Sequence, residues 1–223
     1  MEDADTRPSS VRLGAWFLWV VAFAASAYAV RGTRTAADAI YKFSTFENGT
    51  LFYAIWLGFI LLVSINRFDL LALRAPRGWG RALGIAGSAF LLIIACEFVV
   101  SLLPLPQSPG SEQGLTPPHW EPAHASAFAA NMVLFAVIAP FVEELMFRGL
   151  GYSLLRFLGA YPSMLVVGVA FGLDHGLLEG LLVLIPFGIA VAWVRERTDS
   201  VFPGMLVHAA FNGGTLALAV LLN

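Results

Sequence analysis

The chain alternates between long apolar stretches and short polar ones. Residues 13–30 run for eighteen positions without a charge, enough for a first membrane-spanning helix. Residues 49–66, 82–103 and 125–156 predict three more spans, and 162–175, 179–195 and 201–223 bring the count to about seven. The expected fold is all-α, a polytopic transmembrane helix bundle. A signal peptide is the competing description of 13–30. The apolar stretch exceeds the roughly 7–15 residues usual in that role and its leader is partly acidic, so a retained span is expected.

The polar segments orient the bundle. Between the second and third spans lie Arg67, Arg74, Arg77 and Arg81 against Asp69 alone, whereas 104–124 carries Glu112 and Glu121 with no Lys or Arg. Cytoplasmic loops are the basic ones, so this contrast places the arginine loop and the N-terminus inside. Arg31, Arg34 and Lys42 in the first outer loop run against the rule. Trp16, Trp19, Trp79, Trp120 and Trp193 fall near span ends, where interfacial anchors are expected.

Composition agrees with the pattern: 58% of residues are hydrophobic and 13% charged, against about a quarter charged in soluble domains. No basic tract or acidic tail points to nucleic acid. The lone Cys96 excludes an intrachain disulfide and a multi-cysteine metal site, and reads as a small buried apolar residue. The expected surroundings are the lipid bilayer and a membrane-associated protein or peptide.

Within this apolar background the polar exceptions are informative. After eighteen uncharged residues, 125–142, come Glu143, Glu144 and Arg148. A charge at bilayer depth costs ~2.5–3.5 kcal/mol on insertion scales, so such residues are usually paired or functional. Glu144 and Arg148 stand four apart in the favourable acid-before-base order. Glu143 lies about 100° round the helix and is free to face elsewhere. Pro140 removes a backbone donor and predicts a kink just before the acids. A structural ion pair accounts for this segment as well as a reactive carboxylate does.

Two further islands follow: Phe171 and His175 at the end of the fifth span, and His208 and Asn212 in the seventh. Each pair shares a helix face, and each alone has a structural explanation in hydrogen bonding between helices. At 1.5 Å per residue, Glu143 and His175 lie ~20 Å from the cytoplasmic ends and His208 only ~10–12 Å, so convergence on one cavity requires a tilt or a deep inlet. If they converge, a carboxylate and a neutral imidazole can polarise a water toward a carbonyl. A second imidazole and an amide N–H can then stabilise the oxyanion. No Gly-x-Ser-x-Gly elbow or nucleophilic thiol suggests a covalent route. A non-catalytic binding or immunity protein and a proton-coupled carrier are the rival functions. The absence of an inverted repeat counts against the carrier.

Glu143-Glu144-x-x-x-Arg148, Phe171-x-x-x-His175 and His208-x-x-x-Asn212 resemble, in order and spacing, the motifs of the CPBP intramembrane proteases (CAAX-prenyl-endopeptidase and bacteriocin-processing type). The resemblance covers 67–212. It implies a glutamate-dependent endopeptidase in a bacterial or archaeal cytoplasmic membrane, acting near the C-terminus of a membrane-associated or lipidated substrate. By the same resemblance Glu143 and His175 activate the water, His208 and Asn212 form the oxyanion hole, and Glu144 with Arg148 is the structural pair. The chain then divides into a polar lead (1–12), two N-terminal spans (13–66) and a catalytic bundle with an intramembrane cavity (67–223). Two His and a Glu also make a zinc donor set; an Asn donor leaves His208 unligated, so the expectation is no cofactor. Asp174 replaces the small apolar residue usual before the motif His, where it could orient His175 or add a proton site. Glu97 and Glu179 are expected to be interfacial or structural.

Overall fold

The computed structural model describes residues 9–30, 38–105 and 119–221, and among them it is helical with no strand. Residues 1–8 of the polar lead, Arg31, Arg34 and Glu112 lie outside the described residues. Among the described residues seven helices make up the bundle: α1 (Ser10–Ala29), α2 (Phe43–Val63), α3 (Trp79–Ser101), α4 (Pro122–Leu158, of mixed winding), α5 (Ala160–Asp174), α6 (Leu181–Thr198) and α7 (Phe202–Leu221). Among the described residues, α1, α2, α3, α4 and α7 are long and apolar enough to cross a membrane. The chain is an integral, multi-pass membrane protein. α5, with 15 residues, is shorter. α6 ends in Arg195, Glu196 and Arg197, and the two pack together as a hairpin inside the bundle.

Small residues set the helix crossings. A Cβ on Gly168 of α5 would lie 2.5 Å from Ile189 Cγ1 and 2.8 Å from the Ile189 backbone nitrogen of α6. Side chains this small let backbones approach in lipid, where packing rather than water exclusion drives helix association. The α5–α6 turn passes through Gly176, whose φ of 65° favours glycine. α3 turns Ala82, Ala86, Ala89 and Ile93 inward at helical spacing toward α6. The opposite faces of α1 to α3 expose Leu18, Val21, Leu62, Leu91 and Phe98, as lipid-facing helices do.

The first two helices are keyed into the same core. Trp16, placed by the sequence among the interfacial anchors, is instead fully buried and donates from Nε1 to the Met146 carbonyl at 3.0 Å. Its ring lies on Gly151, where a Cβ would meet it at 2.5 Å. At the other end of α4, Asn131 donates to the carbonyls of Ile40 and Lys42, both at 2.9 Å.

Arg12 donates to the carbonyls of Val63 and Ile65, both at 3.0 Å, so the start of α1 and the end of α2 share one side. On that side Arg74 reaches Asp199 at 2.7 Å, and Arg195 reaches the same carboxylate at 2.9 Å. Partial burial tends to raise the Asp199 carboxyl, but the two arginine hydrogen bonds outweigh it and hold the group below its ordinary value.

Candidate functional site

Helix α4 organises the site because it is not a uniform α-helix. It widens into π turns at Leu134–Ile138 and Leu145–Gly151, on either side of the acidic pair. In the first turn the Ala139 N–H reaches back five residues to the Leu134 carbonyl. Continuing that pattern would bring the next N–H to Phe135, but Pro140 has none. The freed Phe135 carbonyl is taken by Asn212 Nδ2 of α7 at 2.9 Å. Pro140 therefore acts by creating an acceptor that tethers α7 to α4. π turns of this kind are frequent at functional sites.

The adjacent acids receive different partners. Glu144 and Arg148 are fully buried and bonded, Nη1 to Oε1, at 2.9 Å. Arg148 also donates to the Gly188 carbonyl at 3.2 Å, and its guanidinium lies 4.4 Å from the centre of the Phe171 ring. A buried charge needs such partners, and here Glu144 Oε2 and Arg148 Nε are left without one. On the other side of Glu144, α7 approaches at Gly204, where a Cβ would lie 2.9 Å from Oε2. One turn on, His208 Nδ1 stands 3.1 Å from Glu144 Oε1. A carboxylate accepts, so Nδ1 carries the proton of this contact.

Glu143 is 8% exposed and faces away from that pair. Its Oε1 accepts from the Tyr53 hydroxyl of α2 at 2.6 Å, and its Oε2 lies 3.7 Å from His208 Nε2. His175, half-buried, is oriented by its own helix: Nδ1 is 2.8 Å from the Phe171 carbonyl. A carbonyl cannot donate, so Nδ1 holds the proton and Nε2 keeps its lone pair. Asp174, expected as one source of His175's orientation, makes no hydrogen bond to it; its Oδ1 is buried without a partner. Phe171 is the hub of the second motif, with ring centres 4.7 Å from His175, 5.6 Å from His208 and 5.4 Å from Phe187.

Glu143, His175, His208 and Asn212 line one cavity of about 280 Å³. Its walls are largely aromatic, with Phe52, Trp56, Phe135, Phe171, Phe187 and Phe211, and Glu97 and Asp174 also reach it. Glu97, expected at an interface, thus borders the cavity, while Glu179 lies in the α5–α6 turn outside its lining. His208 reaches this cavity together with Glu143 and His175. The α6–α7 connection is packed into the protein, with Ser200 and Val201 fully buried and Val201 N–H bonded to the Ala72 carbonyl at 3.3 Å. The π turns also shorten α4, because more residues per turn advance the axis less. Among the described residues no three His, Cys, Asp or Glu side chains are arranged to hold a metal ion. The two His208 nitrogens face different carboxylates, and the chemistry below involves no step through a metal.

Tyr53 lies outside the three polar motifs. Its signal is a polar tip on the one face of α2 that also carries Gly49, Trp56 and Ile60. A Cβ on Gly49 would run into Leu134 Cδ2, so this face is pressed against α4.

Residues 125–214 match the family model described as Rce1-like, type II CAAX prenyl endopeptidase. The match covers part of the chain, from the start of α4 into α7. The matched segment contains all six charged or polar motif residues, from Glu143 to Asn212. Tyr53 and Glu97 lie outside it. Comparison with curated proteins and with solved structures found no match.

Proposed function

We propose that the protein is a glutamic-type intramembrane endopeptidase that hydrolyses a peptide bond near the C-terminus of a membrane-associated or lipidated substrate. The observation carrying this reading is that Glu143, His175, His208 and Asn212, from three helices, line a single cavity. Glu143 takes a proton from a water as its oxygen attacks the amide carbonyl, with the His175 Nε2 lone pair as the second acceptor for that water. The developing oxyanion needs donors. Asn212 spends one N–H on Phe135 and retains the other.

His208 already points Nδ1–H at Glu144, so to donate from Nε2 it carries both protons. That state sets the cations Arg148 and His208 beside the two adjacent carboxylates, Glu143 and Glu144. Such a fixed set of donors acts strongly in a water-poor interior. The proton held by Glu143 then passes to the leaving amine, yielding a new carboxylate and a free amino terminus. The aromatic walls suit an apolar or prenylated tail.

The N-terminus is cytoplasmic in this reading. Support comes from the basic loop holding Arg67, Arg74, Arg77 and Arg81, which shares a side with the start of α1. The test uses wild-type protein and Glu143→Gln in lipid nanodiscs with a quenched fluorescent peptide ending in a prenylated Cys-aliphatic-aliphatic-X tail. Cleavage by wild type alone supports the reading. Equal cleavage by both folded proteins contradicts the role of Glu143.

A further inference from the structure

We infer that Tyr53 is a positioning residue for Glu143, supplied by a helix that the matched family segment does not include. The inference rests on the proteolytic reading above. Its observations are the 2.6 Å bond from the Tyr53 hydroxyl to Glu143 Oε1, the lining of the cavity by both residues, and the fixed placement of the tyrosine ring.

A glutamate side chain has three rotatable bonds, and in an aromatic cavity nothing apolar selects one carboxylate orientation. Tyr53 supplies that selection. With Oε1 held, Oε2 is the oxygen turned toward His208, 3.7 Å from Nε2. The donor is in turn held by packing. The Tyr53 ring meets Phe52 edge-on at 5.2 Å and Trp56 at 6.4 Å. Trp56 itself contacts Phe147 of α4 at 6.2 Å. The Gly49–Leu134 approach sets the separation of α2 from α4 one turn before Tyr53.

The chemistry of the partner matters as much as its position. Glu144 is matched by a guanidinium and so becomes a closed ion pair. Glu143 is matched by a neutral hydroxyl, which orients the carboxylate and stabilises its charge without cancelling it. Two adjacent carboxylates are thereby given different tasks by different donors. A phenylalanine at position 53 would fill the same space, so the hydroxyl itself is what the site uses.

Tyr53→Phe removes that oxygen alone. With the prenylated quenched peptide, the variant is expected to lose kcat by about tenfold to a hundredfold, the scale of a misplaced reacting group, with KM within about twofold of wild type. A kcat within about twofold of wild type, or a loss confined to KM, overturns the inference. A second readout does not depend on turnover. Tyr53→Phe should lower Tm in the parent protein but not in a Glu143→Leu background, where the hydroxyl has no carboxylate to hold. Equal drops in both backgrounds overturn the pairing. If wild type leaves the peptide intact, the proteolytic reading fails, and the thermal cycle alone decides whether Tyr53 acts through Glu143.

Discussion

Replacing Arg148 with methionine should expose how much of this bundle depends on one buried ion pair. The change removes the 2.9 Å bond to Glu144, the 3.2 Å bond to the Gly188 carbonyl and the cation 4.4 Å from the Phe171 ring centre. It leaves Glu144 with no exposure and with Oε2 already lacking a partner. Breaking a buried pair from one side costs about 3–5 kcal/mol, because the remaining charge is stranded. For a chain of this size each kcal/mol shifts Tm by roughly 2–4 °C, so a fall of about 6–20 °C is expected. The paired variant Glu144→Gln with Arg148→Met leaves no stranded charge, and Gln can still accept from His208. It should recover most of the loss, to within about 2 kcal/mol of wild type, since neutral replacement of buried pairs is often tolerated. Thermal unfolding in nanodiscs, followed by tryptophan fluorescence, measures both. If the single and double variants fall equally, or Arg148→Met loses less than about 1 kcal/mol, Glu144 is not the buried charge described here.

Three further outcomes test other parts of the account. Gly168→Ala places a Cβ 2.8 Å from a backbone nitrogen of α6, so α5 must shift and carry His175 with it; Tm and kcat should both fall, as Tm scans and peptide cleavage would show. Asn212→Ala strands the Phe135 carbonyl that Pro140 set free; a loss of about 1–3 kcal/mol is expected in thermal unfolding, together with a lower kcat. Asp199 has its carboxyl held below the ordinary value of 3.8. It contributes stability above that value and loses it as pH falls through the lower folded one. The Tm difference between wild type and Asp199→Asn should therefore be present at neutral pH and close only below about pH 4. Its size is small because the side chain is 45% exposed.

Much of this arrangement was legible in the chain. Charges in apolar helices stand out against their surroundings, and the spacing of four between Glu144 and Arg148 fixes a bond that the helix then makes. Convergence of the three motifs was harder to read from depth alone. That reckoning assumes uniform, straight α-helices, and the π turns of α4 do not obey it. Pro140 predicts a lost hydrogen bond but not which donor replaces it, since the identity of Asn212 as partner is set by a helix far along the chain. Tyr53 and Trp16 were illegible for a similar reason. An aromatic residue with a polar tip suits an interface as well as a core; the choice is made by close glycine approaches, Gly151 against the Trp16 ring and Gly49 on the Tyr53 face against Leu134. Asp174 is conspicuous in sequence, yet the Phe171 carbonyl one turn away orients His175.

The central claim is that Glu143 drives peptide-bond hydrolysis in the membrane, and cells report on it without a chosen substrate. Membrane proteins from cells carrying wild type or Glu143→Gln, expressed to equal folded levels, are compared by mass spectrometry of their termini. The account predicts new C-termini or released fragments with wild type that are missing with Glu143→Gln. Identical termini in both, with any phenotype of the wild type retained by the variant, would contradict it and leave the cavity as a binding site.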